Sequence, residues 1–437
     1  MSGYYLALAL RSLKRNVVLT TLMIAAIGVG IGASMTTLTV FRAMSADPIP
    51  QKSSQLFVPQ IDNWGPIDHL GQSDDKLEDQ IDYIDAMAFM NAHAAPHQAA
   101  SYAVTFALTP ADTQLKPFKA EGRATYTDFF SMFDVPFQYG GPWSAADDQG
   151  RVPVVVISHE LNEKLFAGAN SVGRTINLDN EDYRVIGVMR HWEPMPRFYD
   201  LTNDPFSKSA LVFLPFTRAI ERQMASWGNT NCSKRSDSGW DGLLRSNCIW
   251  IQYWVELPDA AAADGYRRWL NNYALEQTRS GRFQWPAYTK LRDVRAWLRY
   301  QHVVSNEASI LVLVSFSFLF VCLLNAMGLM LAKFMGRAAD IGVRRALGAN
   351  RREILMQCLI EAGVVGLAGG LLGLALTGLG LLGLRSLLSK EALELTHLDL
   401  PGVGIALVLA VSAAVIAGLY PTWRAAQVQP AWQLKAQ

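Results

Sequence analysis

The chain lacks charge of either sign in excess. Its 39 Lys and Arg residues against 38 Asp and Glu residues leave a formal net charge of +1 across 437 residues. Without a basic surplus there is no hint of a nucleic-acid partner. The sequence also lacks G-x-x-x-x-G-K-[ST] and any other phosphate loop. Nucleotide-driven work must then come from another chain, and no cofactor is expected on this one. Histidine is sparse, with seven residues scattered along the chain. His93 and His97 have the spacing of a helical metal pair, but Pro96 between them would break that turn. The acidic run 179–182 reads as a solvated turn rather than a calcium site. No metal site and no catalytic constellation is expected.

Cysteine is scarcer still, at four residues. Cys232 and Cys248 fall in a polar stretch, Cys322 and Cys358 in apolar ones. In an oxidising compartment the first two can form a disulfide around "SKRSDSGWDGLLRSN". Closing such a loop is worth about 3 kcal/mol in the chain-entropy treatment. Two free thiols are the alternative.

What is present is long apolar runs. Residues 16–41, 308–332, 362–384 and 400–423 carry no charge, and a span takes about 20 residues. The expected fold class is a membrane protein with four transmembrane α-helices and a large α+β domain between the first two. Basic residues set the orientation. Arg11, Lys14 and Arg15 precede the first run. Lys333, Arg337, Arg344, Arg345, Arg351 and Arg352 lie between the second and third, and Arg424 and Lys435 follow the fourth. Both termini are then cytoplasmic. The first run exceeds the usual length of a signal-peptide core, about 7–15 residues, and no cysteine follows it to accept a lipid.

The expected divisions follow. Residues 1–44 hold a cytoplasmic segment and the first span, and 45–306 form the external domain. Residues 307–332 are the second span, 333–352 a cytoplasmic segment, and 353–387 the third span. A short external loop covers 388–399, the fourth span 400–421, and a cytoplasmic tail 422–437. In the external domain, 54–61, 99–108, 114–124, 210–216 and 249–257 read as strands. Residues 152–166 read as a buried strand, an N-cap at Ser158 and a helix, and 174–189 as a hairpin. Apolar Leu77, Ile81, Ile84 and Met87 give 75–90 the spacing of an amphipathic helix. Residues 259–276 read as helix, and 290–306 as a charged helix entering the second span.

Within the runs, Gly28 and Gly32 are four apart, as are Gly366 and Gly370, and Gly369 and Gly373. Such spacing lets helix backbones approach closely, either inside one bundle or between two copies. Glu361 lies close to the start of the third run, where a carboxylate is costly and usually paired; snorkelling toward Arg351 or Arg352 is one account. The loop "DIGVRRALGANRREIL" (340–355) holds more than basic anchors. Residues from Asp340 can form a short amphipathic helix at the membrane surface, with Ile341, Val343 and Leu347 as apolar contacts and Arg344 and Arg345 as charges. Gly348 would end it, and Asn350 would cap the next helix at Arg351.

The stretch "CLLNAMGLMLAKFMGRAADIGVRRALGANRREILMQCLIEAGVVGLAGGLLGL" (322–374) resembles the permease domain of the MacB/FtsX family of ABC transporters. Arg337, Asp340, Ile341, Val343, Arg344, Gly348 and Ala349 occupy the places of that family's loop motif. Pro421, Arg424, Ala425, Ala426 and Pro430 match its ending. "YTDFFSMFDVPFQYGGPWS" and residues 154–189 are similar to the MacB-type periplasmic domain. The family's usual glutamate before Ile341 is Asp340 here, and its closing "P-x-E-A-L" is "PAWQL".

The resemblance implies four membrane helices and a periplasmic domain of two subdomains, the second inserted. It implies an inner-membrane location and a permease with no enzymatic activity of its own, working as a dimer with a second copy or a paralogue. Two ATPase subunits would supply the ATP hydrolysis, docking on a coupling segment made of Asp340, Ile341, Gly342, Arg344, Arg345, Leu347, Gly348, Arg351 and Arg352. Movement of the periplasmic domains, mechanotransmission, would drive substrate through a periplasmic adaptor and an outer-membrane duct. Lipoprotein extraction of the Lol kind and FtsX-like signalling to a cell-wall hydrolase are the alternatives.

Overall fold

The computed structural model describes residues 16–64, 77–111, 115–233, 236–337, 341, 343, 344, 347, 348, 350–387 and 400–426. The chain divides into two compact units, one formed by Met1–Ser45 with Val304–Gln437 and the other by Ala46–Val303.

The Ala46–Val303 unit is built on one mixed sheet. Its strands are β1 (Leu56–Ile61), β2 (His97–Thr109), β3 (Phe118–Thr125), β4 (Phe137–Gly140), β5 (Val154–Ile157), β6 (Thr175–Leu178), β7 (Glu181–Met189), β8 (Val212–Pro215), β9 (Gln252–Glu256) and β10 (Thr289–Asp293). Their order is β10-β1-β9-β2-β3-β8-β5-β7-β4, with β6 pairing β2 and β7. The β3–β8 and β5–β7 pairs are parallel. All four residues of β5 are buried, as expected for an apolar run covered on both faces. Ser158 then caps the helix His159–Phe166 by accepting from the Leu161 N–H at 3.1 Å.

The β6–β7 hairpin turns at Asp179 and Asn180, both at positive φ. That is the backbone a tight two-residue hairpin turn requires. Asp179 is also fixed by the Ala107 N–H, which donates to its Oδ1 at 2.8 Å.

Two expected helices are corrected. The helix read over 75–90 begins only at Tyr83 and runs to Ala92. The Asp82 carboxylate caps it through the Asp85 N–H at 2.7 Å. Upstream, Ile81 is satisfied by a β-bridge to Ile251 instead. Residues 290–306 are not one charged helix. Thr289–Asp293 pairs with β1 as an edge strand; Asp293 then caps a short helix, Val294–Tyr300, through the Ala296 N–H. His97 opens β2, while His93 ends the preceding helix in a left-handed conformation. The two imidazoles therefore share no helical face.

Two apolar clusters cover the sheet. One gathers Phe89, Tyr102, Trp250, Tyr253 and Tyr266 among aliphatic strand residues. The other is strongly aromatic, with Phe129, Phe133, Phe198, Tyr199 and Trp254 in edge-to-face and stacked contacts. Arg123 is buried beside the second cluster and paired with Asp200, which also accepts from Gln252 Nε2 at 3.1 Å. Cys232 and Cys248 are joined as a disulfide, with Cys248 fully buried.

The other unit is helical: α1 (Val17–Met44), α2 (Asn306–Met335), α3 (Arg351–Leu387) and α4 (Leu400–Ala426). The first two, and 351–383 of the third, are long and apolar enough to cross a membrane. In α4 the described apolar stretch is shorter, Val411–Trp423.

Candidate functional site

The close approach of α1 and α3 rests on glycine. A Cβ at Gly28 would lie 2.8 Å from Leu372 Cδ2, and one at Gly32 would lie 2.8 Å from Leu376 Cβ. From α3 the reciprocal positions are Gly369 against Ile27 at 2.7 Å and Gly373 against Ile31 at 2.8 Å. Gly366 and Gly370 are buried as well, and Gly380 joins Gly369 and Gly373 against α1, its Cβ position lying 2.9 Å from Thr36 Oγ1. The four-residue spacing was legible in the sequence; which α1 side chains the glycines of α3 meet was not. Thr377 Oγ1 donates to Gly373 O at 2.8 Å and reaches Gly32 O at 3.4 Å, so a polar contact accompanies the tight packing.

Between α2 and α3 lies the basic segment. The Ile341 N–H donates to Arg337 O, and the Leu347 N–H to Val343 O, both at 3.0 Å, so each end makes helical turns. Gly348 stands at φ +103°, a conformation that stops a helix and suits glycine. Asn350 then opens α3: its N–H donates to Glu353 Oε2 at 3.2 Å, and its Oδ1 accepts from the Arg352 N–H at 3.4 Å. The Glu353 carboxylate reaching back to the cap N–H is one half of a capping box, while the Asn350 side chain caps the N2 amide.

The side chains of this segment divide into two sets. Ile341 packs against the helical core. Val343 and Leu347 do not: they are 57% and 83% exposed. They lie four residues apart and so share one helical face. Arg344 is exposed between them, its Nη1 donating to Gln357 Oε1 of α3 at 3.1 Å. Arg351 and Arg352 are exposed at the start of α3. Asp340, Gly342 and Arg345 lie outside the described residues.

Glu361 corrects an expectation. It pairs with Lys333 and Arg337 of the α2 end, at 2.5 and 3.4 Å, in place of Arg351 or Arg352. Lys333 Nζ also donates to Thr20 Oγ1 of α1 at 3.2 Å. Lys333 and Arg337 are one turn apart, so both reach one carboxylate. The sequence presented Lys333 and Arg337 as topology signals, and Arg337 also as part of the family's loop motif, but not as partners of Glu361. Their coincidence in depth with Glu361 was the available clue.

Among the described residues one further group has metal-ligand character: Glu160, His191 and Glu193 lie within 4.8 Å of one another, partly or fully exposed. His191 Nδ1 is 2.7 Å from Glu160 Oε1. The neighbouring imidazole, together with local hydrogen bonds, overcomes burial and holds the Glu160 carboxyl below its ordinary range.

Residues 20–273 match the MacB-like periplasmic core domain, and residues 312–430 match the FtsX-like permease C-terminal domain. The pyoverdine export ATP-binding/permease protein PvdT of Pseudomonas syringae pv. syringae is 28% identical over 310 residues, 70% of this chain and 41% of that protein. The macrolide export ATP-binding/permease protein MacB of Shigella boydii serotype 4 is 25% identical over 431 residues, 97% of this chain and 59% of that protein. The chain thus spans about half the length of the curated relatives it matches. The crystal structure of the periplasmic region of MacB from Actinobacillus actinomycetemcomitans covers 56% of this chain and 92% of its own, with 12% identity and a TM-score of 0.36. With the core-domain match extending over more than half its length, the chain belongs to the MacB/FtsX family of ABC transporter permeases.

Proposed function

We propose that the chain is the permease subunit of a MacB-like ABC transporter. It couples ATP hydrolysis by a separate cytoplasmic ATPase to movement of its periplasmic domain, and that movement drives export of substrate from the periplasm. The relatives support the direction of transport, since PvdT and MacB are named as export proteins. In this reading α4 is the fourth span, both termini are cytoplasmic, and the protein sits in the bacterial inner membrane. Two permease copies, identical or paralogous, work with two ATPases, a periplasmic adaptor and an outer-membrane duct.

The observation that carries the proposal is the exposed pair Val343 and Leu347. A loop that served only to anchor the protein by charge would need its arginines and nothing else. Here two apolar side chains project from a short helical segment, next to Arg344, and Gly348 ends that segment sharply. An exposed apolar face rimmed by charge marks a docking surface. Its position between two spans makes it a lever on both. Affinity purification in mild detergent, with identification of every co-purifying chain, tests this. An ABC ATPase is the expected companion, and its absence under conditions that keep the bundle folded would remove the proposal.

A further inference from the structure

The Lys333–Glu361–Arg337 cluster lies inside an apolar helical bundle. The Lys333 side chain is 1% exposed and that of Glu361 4%. Each carboxylate oxygen faces a different cation: Oε1 meets Lys333 and Oε2 meets Arg337. Thr20 brings α1 into the same group. Buried ion pairs rarely add stability over apolar packing of the same volume, and their best-attested use is to fix register. Around this cluster the bundle is held by Met23, Ile27, Ala326, Met330, Ala362 and their neighbours. Apolar contacts of this kind can re-form when a helix shifts by a turn, whereas the charges meet in one register only. A slide of α3 by one turn, about 5.4 Å, would separate Glu361 from both cations.

The cluster also sits where the coupling segment is suspended. Arg337 precedes it directly, and Arg344 braces the segment against Gln357, one turn before Glu361 on α3. A load on Val343 and Leu347 thus reaches α2 through Arg337 and α3 through Gln357, and the carboxylate joins the two paths. We propose that Lys333, Arg337 and Glu361 form a positioning joint that locks the coupling-segment ends of α2 and α3 into one moving body, with α1 attached through Thr20. This rests on the coupling role proposed above, but the joint has a consequence in the permease alone.

The test is double electron–electron resonance on the full chain in lipid nanodiscs. Spin labels are placed through ketone-bearing unnatural side chains, so the native cysteines stay untouched. One label pair, at Met335 and Met356, reports the ends near the coupling segment; a second, at Leu311 and Leu379, reports the opposite ends. All four side chains are exposed. In the otherwise unaltered chain the Met335–Met356 distance distribution is narrow. Glu361→Gln keeps the size of the side chain and removes its charge, and Lys333→Met removes one partner. Each should broaden the Met335–Met356 distribution at least twofold and leave Leu311–Leu379 unchanged. An unchanged Met335–Met356 width in both variants overturns the joint. Equal broadening of both pairs also overturns it, because that marks general loosening of the bundle. ATPase co-purification is scored separately: Glu361→Gln leaves the exposed Val343 and Leu347 face intact, so loss of ATPase binding by the unaltered chain counts against the coupling reading alone.

Discussion

Asp148 shows how much a single buried carboxylate can matter. It is 3% exposed and accepts from the Thr127 N–H at 3.0 Å and from Trp143 Nε1–H at 2.8 Å. Burial outweighs these bonds, which favour the anion, and pushes its pKa up to about 7. An unfolded aspartate titrates near 4. Between about pH 4 and 7 the folded chain therefore holds more protons than the unfolded one, and stability falls as pH rises through that window. Each unit of separation corresponds to about 1.4 kcal/mol. Asp82, raised to about 7 chiefly by burial, adds to the same slope. Calorimetry at pH 5 and pH 7.5 should show a lower melting temperature at the higher pH, and a smaller drop in Asp148→Asn. Equal drops in the two proteins would show that Asp148 is not the source. Neither aspartate was legible in the sequence, because nothing local reports that a helix of Ala145–Gly150 will be covered over. The opposite holds for Ser158, Asn350 and Gly348, whose roles are local and follow from side-chain chemistry or backbone freedom.

At the scale of elements, what the sequence disclosed depended on how far apart the deciding contacts lie. The charge-free runs, the 152–166 strand–cap–helix and the β6–β7 hairpin all follow from neighbours a few residues away. The helix read over 75–90 is different. Its first half keeps the apolar spacing, but Ile81 meets Ile251, which is 170 residues along the chain, and the partner strand prevails over the periodicity. Likewise 290–293 is drawn into an edge strand by β1. The disulfide closes the polar stretch between Cys232 and Cys248. Replacing both cysteines by serine should cost about 3 kcal/mol, seen as a lower midpoint in thermal unfolding that reductant no longer shifts. No change in midpoint would mean that the unfolded chain gains nothing from the open loop. Between α1 and α3, Gly32→Leu would drive a side chain into Leu376. Overpacking of that kind costs about 1–3 kcal/mol, measurable as a lower unfolding temperature in detergent, and an unaltered temperature would show that the helices re-space freely.

For the whole molecule, family membership accounts for the union in one chain of a sheet-based unit, Ala46–Val303, and a unit of long apolar helices. In the function proposed above, the exposed segment between α2 and α3 is where the helices are pushed. Its polarity was legible in advance; the separation of Ile341, packed inward, from Val343 and Leu347, facing outward, required the folded chain. The central claim is that this face receives an ATPase. The most direct measurement is the amount of ATPase retained when the detergent-purified permease is captured with Leu347→Asp in place of the unaltered chain. A charge at an 83% exposed position should leave the permease folded, with its melting temperature within about 2 °C, since surface substitutions rarely exceed 0.5 kcal/mol. The account predicts at least a tenfold fall in retained ATPase, on the order of 1.4 kcal/mol of docking free energy. Retention equal to that of the unaltered chain, at equal permease recovery, would contradict it.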